Sequence, residues 1–197
     1  MATDSYVDRI LDSARSRLPG ALDNQVLFEL ADVLNDFFRT STCWRESIVV
    51  NFIAGVTDYE LFTDDMPARV VSLLQVLNPD GIPVWATMIS PNMLSLAVEA
   101  TPGAYTINTI LTVANKINNE TYPRFPQWVA DTYGDAIADG VVGRMAAMPA
   151  KPYSSPNHAA FYTKKFKQAA AMARASANRQ NLVGGQAWRY PRFAAQK

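Results

Sequence analysis

The chain of 197 residues predicts an α+β fold: a mainly α-helical bundle of about four helices, a small antiparallel β-subdomain inserted among them, and an extended C-terminal tail. Three observations predict it. Residues 126–179 hold two long helical patterns hinged by a proline-broken turn. At Trp44 the hydrophobic period changes from helical to alternating. After Arg179 periodicity dissolves. One domain therefore covers 1–179, with helices at 4–18, 23–40, 126–148 and 156–179 and a β-rich insertion at 44–115, and residues 180–197 form a tail.

The elements follow in order. Tyr6, Val7, Ile10, Leu11 and Ala14 repeat at helical spacing, and Pro19-Gly20 ends that helix. Asp23 is placed to cap the second, whose stripe runs Val26, Leu27, Leu30, Val33, Leu34, Phe37 and Phe38. Glu46 to Ile53 alternates and is rich in β-branched residues. Ala54-Gly55-Val56-Thr57 turns, and Asp58 to Phe62 returns, the pattern of a hairpin. Arg69 to Leu77 and Ile82 to Met88 flank the turn Asn78-Pro79-Asp80-Gly81. Ser90-Pro91 predicts a short helix to about Val98; Ala104 to Ile107 and Ile110 to Ala114 predict two weak strands, and 116–124 a loop.

In the third helix Val129, Tyr133, Ile137, Val141, Met145 and Met148 draw one apolar stripe. Three prolines within 148–156 stop it, and Ser155-Pro156 supplies an N-cap and first residue for the fourth. There Tyr162, Phe166, Ala169, Ala170, Ala173 and Ala177 share a face, with Lys164, Lys167 and Arg174 opposite. Trp44, Phe37, Phe38, Trp128 and Tyr133 lie near helix ends beside the change of period, so they are expected to form the junction of sheet and helices.

With 49% apolar residues the chain can bury a proper core. A single cysteine, Cys43, excludes an internal disulfide framework. No stretch approaches the ~20 apolar residues of a membrane helix, so no membrane partner is expected. The acid-bearing start Met1-Ala2-Thr3-Asp4 is unlike a signal peptide, and the expectation is a protein made and kept in a cytoplasm.

Net charge is zero but unevenly spread. Residues 1–139 carry all 18 acids and 8 of the 18 bases, a net of 8 − 18 = −10; residues 140–197 carry the other ten bases and no acid, a net of +10. Such a split points to nucleic acid or an oppositely charged protein surface, or else to neutralisation within the subunit. The tail adds Trp188, Arg189, Tyr190, Arg192 and Phe193 behind Gly184-Gly185. These are interface-anchoring side chains, read as a docking tail rather than one packed back on its own domain.

Enzyme chemistry finds little support. His158 is the one histidine, in the first turn of the fourth helix, and is expected at the surface; no multi-histidine metal site, Ser-His-Asp arrangement, phosphate loop or GxGxxG stretch can be assembled. Cys43 beside Trp44 is expected to be a buried thiol. Asp131, Asp135 and Asp139 recur at i+4, where like charges repel, and are expected on a solvated or subunit-facing side. The expectation is no enzyme, no cofactor and no metal.

Phe37-Phe38-Arg39-Thr40, Trp44-Arg45-Glu46, Tyr59-Glu60-Leu61, Arg69-Val70, Gly81-Ile82-Pro83, Pro126-Gln127-Trp128, Tyr133 to Gly140, Arg144 to Met148, Lys151-Pro152-Tyr153, Pro156, Ala159, Tyr162 and Phe166 occur in an order that resembles the head-to-tail adaptor (connector) proteins of tailed bacteriophages. Most of the chain is covered, though 102–126 is shorter than the family's pattern. The resemblance implies a structural virion protein of the neck, assembled in the host cytoplasm. It implies a dodecameric ring below the portal that joins the DNA-filled capsid to the tail and lines the DNA exit channel. The partners it implies are the portal protein, a tail (nozzle or tail-completion) protein, the chain itself as a homo-oligomeric ring, and packaged DNA passing through without sequence-specific binding. In such rings the C-terminal segment typically reaches the portal, which makes 180–197 the expected portal-docking tail. The sign split adds the expectation that Asp32, Asp36, Asp131, Asp135 and Asp139 pair with Lys164, Lys167 and Arg174 between subunits. The alternative class is a nucleic-acid-binding protein using the basic, aromatic C-terminal segment.

Overall fold

A computed structural model describes residues 5–61, 68–97, 101–114 and 122–180. Two helices, α1 (Ser5–Arg15) and α2 (Asp23–Ser41), precede the strands β1 (Arg45–Phe52), β2 (Asp58–Glu60), β3 (Ala68–Leu77), β4 (Ala86–Ser90), β5 (Met93–Leu96) and β6 (Gly103–Val113). Helices α3 (Gln127–Ala146) and α4 (Pro156–Gln180) follow. The α+β class, with four helices and two small antiparallel sheets, is thus observed. Each helix boundary falls within three residues of its sequence expectation, since the prolines, glycines and apolar spacing that set those boundaries act locally.

Capping divides into one success and one correction. At α4 the expected cap forms: His158 N–H donates to Ser155 Oγ at 3.4 Å, and Ala159 N–H donates to the Ser155 carbonyl at 2.9 Å. At α2 the cap position falls to Leu22, which makes no side-chain cap bond, and Asp23 lies inside the first turn, 2.9 Å from the Arg15 guanidinium. An acid there still favours the positive end of the helix.

The sheets depart from the expected meander. Order is β1-β6-β3 in one sheet and β2-β5-β4 in the other, so β1 and β2 do not form a hairpin. All eight residues of β1 pair with β6 in unbroken register. The Tyr59 hydroxyl contacts the backbone of Ile53 and Val56 and satisfies the bend that a hairpin ladder would have satisfied. Ring stacking of Phe52 between Tyr59 (3.9 Å) and Tyr105 (4.2 Å) then ties the two sheets together. The turn at Asn78 forms as expected, with Gly81 N–H donating to the Asn78 carbonyl at 2.9 Å.

Two further expectations are corrected. Ser90-Pro91 starts no helix. Pro91 and Asn92 make a tight link from β4 to β5, Asn92 adopts φ 65°, and its side chain accepts from Val70 N–H at 2.7 Å. Leu94 and Leu96 are buried at strand period, which the helical reading missed. The two weak strands of 104–114 are one strand, β6, at the centre of its sheet. Its polar middle survives burial because Thr109 Oγ1 donates to the Glu46 carbonyl (3.0 Å) and Thr112 Oγ1 to Asn35 on α2 (2.7 Å).

Helix α3 was expected to show one apolar stripe. From Ile137 to Met145 it is buried on nearly every side except at Arg144, because α1, α2 and α4 all pack on it. Gly140 and Gly143 make this possible: a Cβ at Gly140 would lie 2.7 Å from Phe166 and Val33, and one at Gly143 2.9 Å from the Thr163 backbone nitrogen. The junction of sheet and helices contains Phe37, Phe38 and Trp44, all fully buried, with the Phe38 and Trp44 rings 5.1 Å apart. Tyr133 joins it half-buried against Phe37 (5.3 Å). Trp128 does not. It is 47% exposed, on the outer side of the first turn of α3, and Phe125 takes the buried place beside Phe38 and Tyr6 instead.

Candidate interaction surfaces

The described residues include no group of three or more His, Cys, Asp or Glu side chains that could hold a metal ion, and no helix long and apolar enough to cross a membrane. His158 is exposed, its ring edge-on to Tyr162. Cys43 is half-buried; burial pushes its thiol up, only partly offset by a hydrogen bond from Ser41 Oγ at 3.1 Å, so it is a poor nucleophile at neutral pH. The described residues also present unevenly distributed charge and exposed apolar surface.

The acids expected to face a neighbouring subunit are, for the most part, engaged within the chain. Arg144 on α3 reaches Asp36 at 2.5 Å and lies 3.5 Å from Asp32 and 3.6 Å from Glu29, so a single guanidinium serves the acidic side of α2. Asp139 is 7% exposed at its side chain and joins three helices, pairing with Arg17 after α1 and with Lys165 of α4 at 3.0 Å. It is a buried strut, not a solvated acid, and its two cations supply the compensation a buried carboxylate needs. Asp131 pairs with Arg9 at 2.8 Å across the surface. Asp135 is exposed and makes no ion pair among the described residues.

Lys164, Lys167 and Arg174 stand on the outer face of α4, exposed and without an acid partner among the described residues. Lys164 and Lys167 border an open groove whose floor is Ala159, Ala160 and Ala171. Beside them Phe161 (57%) and Met172 (72%) project outward, which the sequence reading did not single out. Residues 188–193, with Trp188, Arg189, Tyr190, Arg192 and Phe193, lie outside the described residues.

The β-subdomain offers a second exposed surface. Trp85, just before β4, is 86% exposed and Ile89 59%; with the exposed Thr87 they share one side and alternate with the half-buried Ala86 and Met88 of the β2-β5-β4 sheet. The 85/87/89 alternation was visible in the sequence but does not say which side faces the core.

No family model and no curated protein sequence matches the chain. The fold and its surfaces define an α+β protein with two exposed faces, a basic helix at one place and an apolar sheet at another.

Proposed function

We propose that the chain is a head-to-tail adaptor of a tailed bacteriophage. It is a structural, non-enzymatic virion protein of the neck, forming a dodecameric ring below the portal that joins the DNA-filled capsid to the tail and lines the DNA exit channel. The observation that carries the reading is the order of elements along the chain: two helices, a sheet insertion, two helices and a basic tail, the order found in the resemblance. Two separate exposed faces suit a protein that must bind its own kind, a portal and a tail component. Residues 180–197, with their Trp and Arg anchors, are assigned to the portal, and the outer face of the sheet bearing Trp85 and Ile89 to the tail side.

The test is an electron-microscope image of the protein mixed with its portal. A ring coaxial with the portal is the expected result; monomers that ignore the portal overturn the reading. A second reading, nucleic-acid binding, is favoured by one observation: Lys164, Lys167 and Arg174 lack acid partners among the described residues. Tight duplex or single-strand binding whose affinity falls steeply with salt, in the absence of portal binding, would support it.

A further inference from the structure

We infer that the outer face of α4 docks on the outer α1–α3 face of a second copy, at Trp128, Asp131 and Asp135, in a head-to-tail contact. This deepens the adaptor reading by naming the surfaces between subunits, but it needs only that the chain self-associates.

The argument begins with which charges are left over. The sign split of the sequence suggests two acidic helices meeting one basic helix, but Arg144 already serves Asp32 and Asp36, and Asp139 is buried with Arg17 and Lys165. Asp32 and Asp36 share that one guanidinium with Glu29 and keep some acidic surface on α2; the N-terminal half of α3 is acidic surface that also borders a groove. Trp128, Asp131 and Asp135 lie at i, i+3 and i+7, which is one side of a helix and spans about 10 Å. Asp131 shares its charge with Arg9, whereas Asp135 makes no ion pair among the described residues. Both aspartates border a groove that Arg9, Ile10, Ser13, Ala130 and Thr132 also line, and at Gly134 a missing side chain lets Ile10 come close.

The opposing strip on α4 has matching dimensions and opposite sign. Phe161, Lys164 and Gln168 repeat the same spacing, and Lys167 widens the positive surface; Ala160 and Ala171 keep the ground between them low enough for another helix to approach. Each strip thus sets an exposed apolar side chain beside its charges, Trp128 on one and Phe161 on the other. An apolar anchor next to complementary charge is the composition of a specific interface rather than of a solvated face.

Symmetry follows from the signs. A contact of α4 with α4 would bring lysines together, and a contact of α3 with α3 would bring aspartates together. A contact of α4 with α3 matches opposite charges, and a contact between two different faces repeats from copy to copy, as a ring where the rotation closes.

The experiment uses two forms of the full chain, Asp135→Lys and the double substitution Lys164→Glu with Lys167→Glu, followed by light scattering after size-exclusion chromatography at low salt. All three positions are exposed, and a thermal melt checks that each form folds. Alone, each form sets like charges against each other, so self-association should weaken at least tenfold relative to the parent. Mixed in equal amounts, the two present opposite charges at every contact, and assembly should return to the parent's size. Variants that associate like the parent, a mixture that stays monomeric, or a parent that is monomeric at high concentration and low salt each overturn the inference. Portal binding is measured separately: a parent that assembles but ignores the portal removes the adaptor reading and leaves this interface standing. Variants that form rings on the portal as well as the parent does leave the adaptor reading standing and sink the interface.

Discussion

Two glycines of α3, nine residues apart, should respond to the same substitution with opposite signs. Replacing a helix-interior glycine by alanine gains about 1 kcal/mol of helix propensity if the new methyl group has room. At Gly134 the methyl carbon would lie 3.4 Å from Ile10 Cγ1, a contact that a small side-chain shift relieves. Gly134→Ala should therefore stabilise by about 0.5–1 kcal/mol, raising the melting temperature by roughly 1–4 °C for a domain of this size. At Gly143 it would lie 2.8 Å from Thr163 Oγ1 and 2.9 Å from the Thr163 backbone nitrogen. A rotamer change removes the first contact but not the second, so α3 and α4 must separate along their shared length. Overpacking of this kind costs about 1–3 kcal/mol, which exceeds the propensity gain over most of that range. Gly143→Ala should lower the melting temperature by a few degrees. The assay is thermal and urea unfolding followed by far-ultraviolet circular dichroism on all three proteins. A Gly143→Ala protein that melts at or above the parent would refute the close approach of the two helices.

Three other outcomes follow from the same structure. Trp44→Ala should cost about 3–5 kcal/mol because the ring is fully buried against Phe38, whereas Trp128→Ala should cost about 1 kcal/mol or less; urea unfolding that ranks them the other way contradicts the placement of both. Asp139→Ala should destabilise by about 2–3 kcal/mol. Losing a buried partner typically costs about 3–5 kcal/mol, and the figure is reduced here because Arg17 and Lys165 remain partly in water; an unchanged unfolding midpoint would show that the three-helix strut contributes nothing. Alkaline pH should be destabilising. Burial raises the Cys43 thiol above 9.0 and, with a smaller contribution from the Cys43 charge, raises the Tyr133 phenol above 10.0. Groups raised in the folded state contribute stability that is fully present below those ordinary values and lost as pH climbs through the folded ones, so the melting temperature should fall above about pH 9. Native Cys43 alkylated at pH 7.5 as fast as a free thiol would contradict this.

Helix positions were legible in the chain because their signals lie within a few residues of one another. Pro19-Gly20, Ser155-Pro156 and the stripe from Val26 to Phe38 each act on their own segment, and α1, α2, α3 and α4 appear where those signals put them. The split of charge at residue 140 was equally plain. Strand partners were not, since β1 reads as half of a hairpin locally, yet its mate is β6, paired through Arg45 and Ile110 at one end and Phe52 and Gly103 at the other. The distant strand wins because it brings Tyr105 and Ile107 into the core, which three residues of β2 cannot match. The same holds for the tryptophans and the acids: Trp44 and Trp128 occupy similar positions beside helix ends, and Asp135 and Asp139 lie one turn apart on one helix. Burial and pairing depend on what other segments bring opposite each side chain. Arg17 comes from the turn after α1 and Lys165 from α4, and folding alone determined that Asp139 became a buried strut between them while Asp135 stayed at the surface.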